Sequence, residues 1–128
     1  MKNLLIAFDS KTGNVRRFVK KINSNAIQID EEMILDEKFV LITYTTGMGK
    51  VPSKVSKFLE KNHKNMVAVA ASGNRNWGES FCKSANTIAE KYNVPVILRF
   101  EMAGTPTDVE KFKDTIKILS QGWWNWNI

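Results

Sequence analysis

Short apolar runs recur along the chain at Leu4–Phe8, Phe39–Tyr44, Met66–Ala71 and Val94–Phe100, each rich in branched or aromatic side chains. Runs of this length that are apolar throughout, not alternating, predict strands buried on both faces of a mostly parallel sheet. A shorter run, Ala26–Ile29, predicts one more strand. Between the runs, apolar residues fall at helical spacing: Val15, Phe18, Val19 and Ile22; Val51, Val55, Phe58 and Leu59; Phe81, Ala85, Ile88, Ala89 and Tyr92; Val109, Phe112, Ile116 and Leu119. Each set occupies one face of a helix. Strands alternating with amphipathic helices imply right-handed βαβ crossovers and a doubly wound α/β sheet with helices on both faces. No repeat, linker or low-complexity stretch interrupts the series, so one domain is expected.

At 128 residues the chain can bury roughly two-thirds of its unfolded surface without a disulfide or metal staple. No apolar run approaches the length that spans a bilayer. The opening MKNLLIAF turns polar at Asp9, too soon for a signal-peptide core. A cytoplasmic protein is expected, and the lone Cys82, which cannot form an internal disulfide, agrees with that. The net charge is +6, and five of the 13 acids (Asp30, Glu31, Glu32, Asp36, Glu37) fall within residues 30 to 37. The rest of the chain therefore sets 19 bases against eight acids. Such a field attracts nucleic acid, an acidic protein or a small anion, although a solvated lysine-rich surface is its ordinary meaning.

Six of the seven glycines follow a strand: Gly13, Gly47, Gly49, Gly73, Gly78 and Gly104. Their loops would all emerge at the carboxyl edge of the sheet, where open parallel sheets bind ligands. The first loop, Asp9-Ser10-Lys11-Thr12-Gly13-Asn14, runs from a strand into a helix. A phosphate there would meet unpaired helix N–H groups and the Ser10 and Thr12 hydroxyls, though the same residues make an ordinary helix cap. The second, Thr45-Thr46-Gly47-Met48-Gly49-Lys50, fails the nucleotide-triphosphate motif because Tyr44 and Val51 stand where Gly and Ser or Thr are needed. It fails the dinucleotide fingerprint too, with Pro52 at the third glycine position. The third, Ser72-Gly73-Asn74-Arg75-Asn76-Trp77-Gly78, sets an aromatic ring among amide donors, a candidate platform for a flat ring or a cover over the sheet edge.

A phosphate cradle, a glycine-rich wall and an aromatic platform together have the shape of FMN. Ser10-x-Thr12-Gly13-Asn14 resembles the flavodoxin phosphate loop, and TYTTGMGKVP (43 to 52), ASGNRNWGESF (71 to 81) and the VP…FE…GT series (94 to 105) resemble the NrdI family of flavodoxin-like proteins. The likeness covers roughly residues 3 to 119, a flavodoxin-like domain over 1 to 119, and leaves 120 to 128 as a tail with three of the four tryptophans. It implies a five-stranded parallel sheet of order 2-1-3-4-5 and FMN at its carboxyl edge. Ser10, Thr12, Gly13 and Asn14 would donate to the phosphate, within a loop that Lys11 and Val15 complete. Val15 stands where many flavodoxins have a hydroxyl. Thr46, Gly47 and Met48, flanked by Thr45 and Gly49, would face the flavin N5 edge, with the Gly47 peptide free to turn on reduction. Asn74 and Gly78, beside Ser72, would hold the pyrimidine end, and Trp77 would cover one ring face.

The resemblance also implies a role. Such proteins serve class Ib ribonucleotide reductases: reduced FMN and oxygen give superoxide or a related oxidant, which the small subunit uses to assemble its dimanganese-tyrosyl radical cofactor. The partners implied are that dimetal subunit and an external flavin reductant, with neither nucleic acid nor membrane. The alternatives are a generic flavodoxin-type electron carrier and, from another class, a nucleic-acid-binding module built on the charge and the tail. A receiver module would need an Asp where Thr45 and Thr46 stand. The basic chain should favour the anionic, fully reduced flavin and make its second reduction step accessible. Cys82 lacks the arginine of a phosphatase loop, Ile88 standing there instead, and is expected inside a helix in an inert packing role. His63 is expected to cap a helix end, not to bind a metal.

Overall fold

A computed structural model describes residues 4–22, 25–46, 49–74, 76, 78 and 81–121. The elements follow in the order β1 (Leu5–Phe8), α1 (Asn14–Ile22), β2 (Ala26–Gln28), β3 (Phe39–Tyr44), α2 (Ser53–Asn62), β4 (Met66–Gly73), α3 (Lys83–Tyr92), β5 (Val96–Glu101) and α4 (Pro106–Ser120). The five strands form one sheet in the order β2-β1-β3-β4-β5. Every neighbouring pair is parallel. Among the described residues no helix is long and apolar enough to cross a membrane.

The alternation of side chains along a strand decides how the layers fill. Ile6, Phe8, Val40, Ile42, Ala68, Ala70 and Phe100 face one side and pack with Val15, Phe18, Val19 and Ile22 of α1 and Val109, Phe112, Ile116 and Leu119 of α4. Leu5, Ala7, Phe39, Leu41, Val69 and Ala71 face the other side and meet Val55, Phe58 and Leu59 of α2 and Ala85 and Ile88 of α3. Both faces of the central strands are thus dry, as continuous apolar runs require. Phe18 stacks on Phe100 with ring centroids 4.1 Å apart and meets Phe112 edge-on at 5.5 Å.

The ends of elements depart from the sequence expectation for local reasons. β2 closes at Gln28, although Ile29 still donates its N–H to the Phe8 carbonyl at 2.9 Å and is buried. β5 begins at Val96 because Pro95, without an N–H, contributes only a carbonyl, which accepts from Val69 N–H at 3.0 Å. α3 begins at Lys83, so Cys82 lies just before the helix and not within it. There Cys82 has φ +53°, fully buried, with its thiol donating to the Ala71 carbonyl at 3.3 Å. The expected packing role stands and the helical placement is corrected. α4 opens on a capping box, Thr105 Oγ1 accepting from Asp108 N–H and Asp108 Oδ2 accepting from Thr105 N–H, with Pro106 at the first turn.

Candidate functional site

A cavity of about 320 Å³ opens at the carboxyl edge between the two halves of the sheet. Ser10, Lys11, Thr12, Asn14 and Val15 line it from the first loop, Tyr44, Thr45 and Thr46 from the end of β3, Ser72, Gly73 and Asn74 from the end of β4, and Met102 from the loop after β5. β1 and β3 are neighbours in space, yet their crossover helices α1 and α2 lie on opposite faces. That reversal of winding leaves a crevice which connecting loops do not fill.

The first loop is folded around Ser10. Its Oγ accepts from Gly13 N–H at 3.2 Å and from Arg16 N–H at 3.3 Å, tying the loop to the first turn of α1. The first N–H groups of a helix have no acceptor within it, and among the described residues those of Asn14 and Val15 find none elsewhere. No acidic residue stands in the first turn of α1 to occupy them. This is the donor set an anion requires at a helix N-terminus. Thr12, exposed at the mouth, adds a hydroxyl. A phosphorylated, flat cofactor therefore fits: the cavity lies within the usual range of ligand sites of about 300–1,000 Å³, with donors at one end and hydroxyl and amide groups of Thr46, Ser72 and Asn74 along its walls.

Comparison with known proteins decides the lineage. The family model "NrdI Flavodoxin like" matches residues 6–114. The chain belongs to the NrdI flavodoxin-like family. It is 53% identical over 113 residues to Protein NrdI of Bacillus licheniformis, covering 88% of this chain and 86% of that one. Solved structures confirm the flavodoxin fold. A short-chain flavodoxin associated with a non-canonical PDU bacterial microcompartment superposes with a TM-score of 0.72 at 16% identity, over 94% of this chain and 98% of that one. Oxidised Flavodoxin 2 from Bacillus cereus gives 0.65 at 22%, over 95% and 100%.

Within this NrdI-family site, nine residues singled out from the sequence converge on the cavity: Ser10, Lys11, Thr12, Asn14, Val15, Thr45, Thr46, Ser72 and Asn74. Gly13 does not line it and instead donates to Ser10. Gly49 is placed elsewhere, lining a second cavity against Lys83. Gly78 is exposed and outside the lining. Gly47, Met48 and Trp77 fall outside the described residues, as do Arg75 and the tail from Gly122.

Sequence reasoning did not single out Tyr44, Met102 or Arg17. Tyr44 ends a buried strand with its hydroxyl toward Asp9, a residue only 2% exposed. Burial, then the Asp9 charge and their hydrogen bond, raise the Tyr44 pKa above its ordinary 10.0. Lys54 Nζ stands 3.8 Å from Asp9 Oδ1 and completes the cluster. An aromatic with a polar tip at the carboxyl end of an apolar run was the available signal. Met102, with φ +55°, is held over the opening by its carbonyl, which accepts from Ser72 Oγ at 2.6 Å. Gly73, already expected in the third loop, lines the wall as the last residue of β4, and its carbonyl accepts from Met102 N–H at 3.3 Å. Arg17 places a guanidinium within 3.0 Å of the Cβ position of Gly13, steered by Asn14 Oδ1 at 2.6 Å, so the loop is not served by neutral donors alone. His63 behaves as expected: it ends α2, and its Nδ1 lies 3.0 Å from the Leu59 carbonyl.

Proposed function

We propose that the chain binds FMN in the first cavity and acts in the cytoplasm as the redox partner of a class Ib ribonucleotide reductase, whose small subunit it activates. One observation carries the reading in this NrdI-family chain: unsatisfied N–H groups at the start of α1 share a single crevice with the hydroxyls of Ser10, Thr46 and Ser72. Ser10 would hold the loop in shape while Thr12, Asn14 and Val15 donate to the phosphate. Thr46, with Gly47 and Met48, would face the redox edge of the ring, and Asn74, with Gly78 and Trp77, its pyrimidine end. Thr45 and Ser72 would fix the walls from beneath. Gly49 would act only through the turn it shares with Thr46.

When bound, FMN would supply one- and two-electron chemistry and, once reduced by an external donor, an oxidant from dioxygen for assembly of the partner's dimanganese-tyrosyl radical. The metal belongs to the partner, and among the described residues no group of three His, Cys, Asp or Glu side chains could hold one here. The chain's own contribution would be to grip the phosphate, exclude water from one side of the ring and set the positive charges of Lys11 and Arg17 near the first loop.

Titration of the purified protein with FMN, followed in the visible spectrum, should show a saturable, perturbed flavin band. The reduced complex, mixed with metal-loaded small subunit and oxygen, should then generate a tyrosyl radical signal by electron paramagnetic resonance. A normal flavin band without radical formation would leave a generic flavodoxin-type electron carrier as the reading. Absence of FMN uptake would remove both.

A further inference from the structure

A second cavity, of about 470 Å³, lies between α2 and α3 on the face of the sheet that carries those helices. Val51, Leu59, Ile88 and Tyr92 give it an apolar floor, and Lys50, Lys83 and Lys91 surround that floor with charge. Among the described residues no carboxylate lines it. The other flank of α2 is organised in the opposite way. There Lys57 pairs with Glu31 at 3.7 Å and Lys61 with Glu32 at 3.1 Å, so the acidic 30–37 segment neutralises that side. Among the described residues Lys50, Lys83 and Lys91 form no ion pair. Lys91 instead rests its ammonium 5.4 Å from the Tyr92 ring centroid.

We propose that this groove docks an acidic peptide segment of a protein partner, its apolar side chains seated between the helices and its carboxylates on Lys50, Lys83 and Lys91. Charge complementarity selects the occupant: an apolar floor alone accepts many surfaces, but a rim of unpaired lysines rejects basic ones and favours carboxylates. Geometry narrows it further. Lys83 and Lys91 are eight residues apart on one helix, about 12 Å along its axis. An extended chain covers that distance in about four residues, so the carboxylates that engage both ends are spaced that far apart.

The groove also abuts the turn that borders the first cavity. Thr46 and Lys50 exchange backbone hydrogen bonds at 3.0 and 3.2 Å, which ties the two residues together. Thr46 lines the first cavity, whereas Gly49 and Lys50 line the second. The stem of Lys83 packs directly on Gly49, whose φ is +81° and whose Cβ position lies 2.7 Å from Lys83 Cδ, so a side chain there would have to displace the lysine. The docked peptide therefore sits one turn away from the proposed cofactor, on a surface that does not require the cofactor to be present.

The test uses the full-length protein, with and without FMN, and a fluorescein-labelled peptide carrying glutamate at its first and fifth positions with leucine and phenylalanine between them. Fluorescence anisotropy should report saturable binding, and amide shifts in two-dimensional NMR should centre on Ser56, Thr87 and Tyr92. K83E/K91E should weaken binding about tenfold or more. K57E/K61E, which changes net charge equally on the other flank of α2, should alter it less than about twofold. A peptide with serine in place of leucine and phenylalanine should bind more weakly. Equal losses from the two double variants, or no loss with the serine peptide, would reduce the effect to general attraction and overturn the site. Shifts centred on Ser10 to Val15 would overturn it as well. Because the measurement runs without FMN, its failure and failure of the cofactor reading are separately visible.

Discussion

Thr45 Oγ1 lies 2.8 Å from Ser84 Oγ, and both residues are buried, so a single hydroxyl pair joins the end of β3 to the start of α3 beneath the first cavity. Ser84 N–H also reaches Thr45 Oγ1 at 3.4 Å. Thr45→Val keeps the shape of the side chain but strands the Ser84 hydroxyl in an apolar site. Urea unfolding should show a loss of roughly 1–3 kcal/mol. In the double variant with Ser84→Ala no buried hydroxyl is left unpaired, so its cost should be smaller than the sum of the single costs. Additive losses would show that the two hydroxyls act separately.

Ser10 orders the loop that the phosphate is proposed to occupy. Ser10→Ala removes the acceptor of Gly13 and Arg16 N–H and so loosens the loop that presents the donors. Losses of about 1–2 kcal/mol correspond to about five- to thirtyfold weaker FMN binding. Flavin fluorescence titration measures it, and Thr12→Val, which removes a hydroxyl that no other described residue uses, should cost less. Unchanged affinity for both variants would place the phosphate elsewhere.

The Tyr44 phenol makes stability depend on alkaline pH. Its folded pKa lies above its unfolded value of 10.0, so folding favours the protonated form. The contribution is complete below pH 10 and is lost as pH rises through the folded pKa. Tyr44→Phe removes both the titration and the donor to buried Asp9. At pH 8 the variant should be less stable than wild type by about 1 kcal/mol or less, since the phenol is only partly buried and Asp9 keeps Lys54, and the gap should close as pH passes 10, followed by urea midpoints. A gap that is constant with pH would show that Tyr44 does not titrate differently on folding.

The fold was legible because burial on both sides of a sheet leaves uninterrupted apolar runs, and β3, Phe39–Tyr44, matches its run from end to end. Element ends were not, since they depend on single residues such as Pro95 and on the left-handed Cys82, whose strain only surrounding packing enforces. At the site, residues whose type announces a donor, such as Ser10 and Asn74, were readable from their place after a strand. Tyr44 and Arg17 were not, because their roles arise from partners distant in sequence or along the helix: Asp9 for the first, Asn14 and Gly13 for the second. Gly49 shows the converse: a glycine expected at the first cavity from its place after a strand lines the neighbouring groove, which only the path of the turn decides.

Net charge bears on redox behaviour. The +6 chain, with Lys11 lining the cavity and Arg17 beside Gly13, should stabilise an anionic, fully reduced flavin. Anaerobic titration of the FMN complex should therefore find the second one-electron step accessible, close to the first. A second step far below the first would show that local contacts, not the overall field, set the potential.

Gly104 tests how rigid the core beneath the site is. Its φ is +78°, and a Cβ there would lie 2.7 Å from Phe18 Cδ1. Phe18 cannot retreat, being fully buried, stacked on Phe100 and edge-on to Phe112. Gly104→Ala should therefore combine a left-handed backbone cost of about 1–2 kcal/mol with an overpacking cost of about 1–3 kcal/mol. Gly49→Ala provides the comparison: its φ is +81° and its Cβ would lie equally close, but to the Cδ of Lys83, an exposed chain that can swing aside. Urea unfolding should place Gly104→Ala below Gly49→Ala by the overpacking part, about 1–3 kcal/mol. Phe18→Leu, introduced with Gly104→Ala, should recover some of that difference by opening space. Equal losses for the two alanines, or no recovery, would mean that the aromatic stack yields and that backbone conformation alone fixes these glycines.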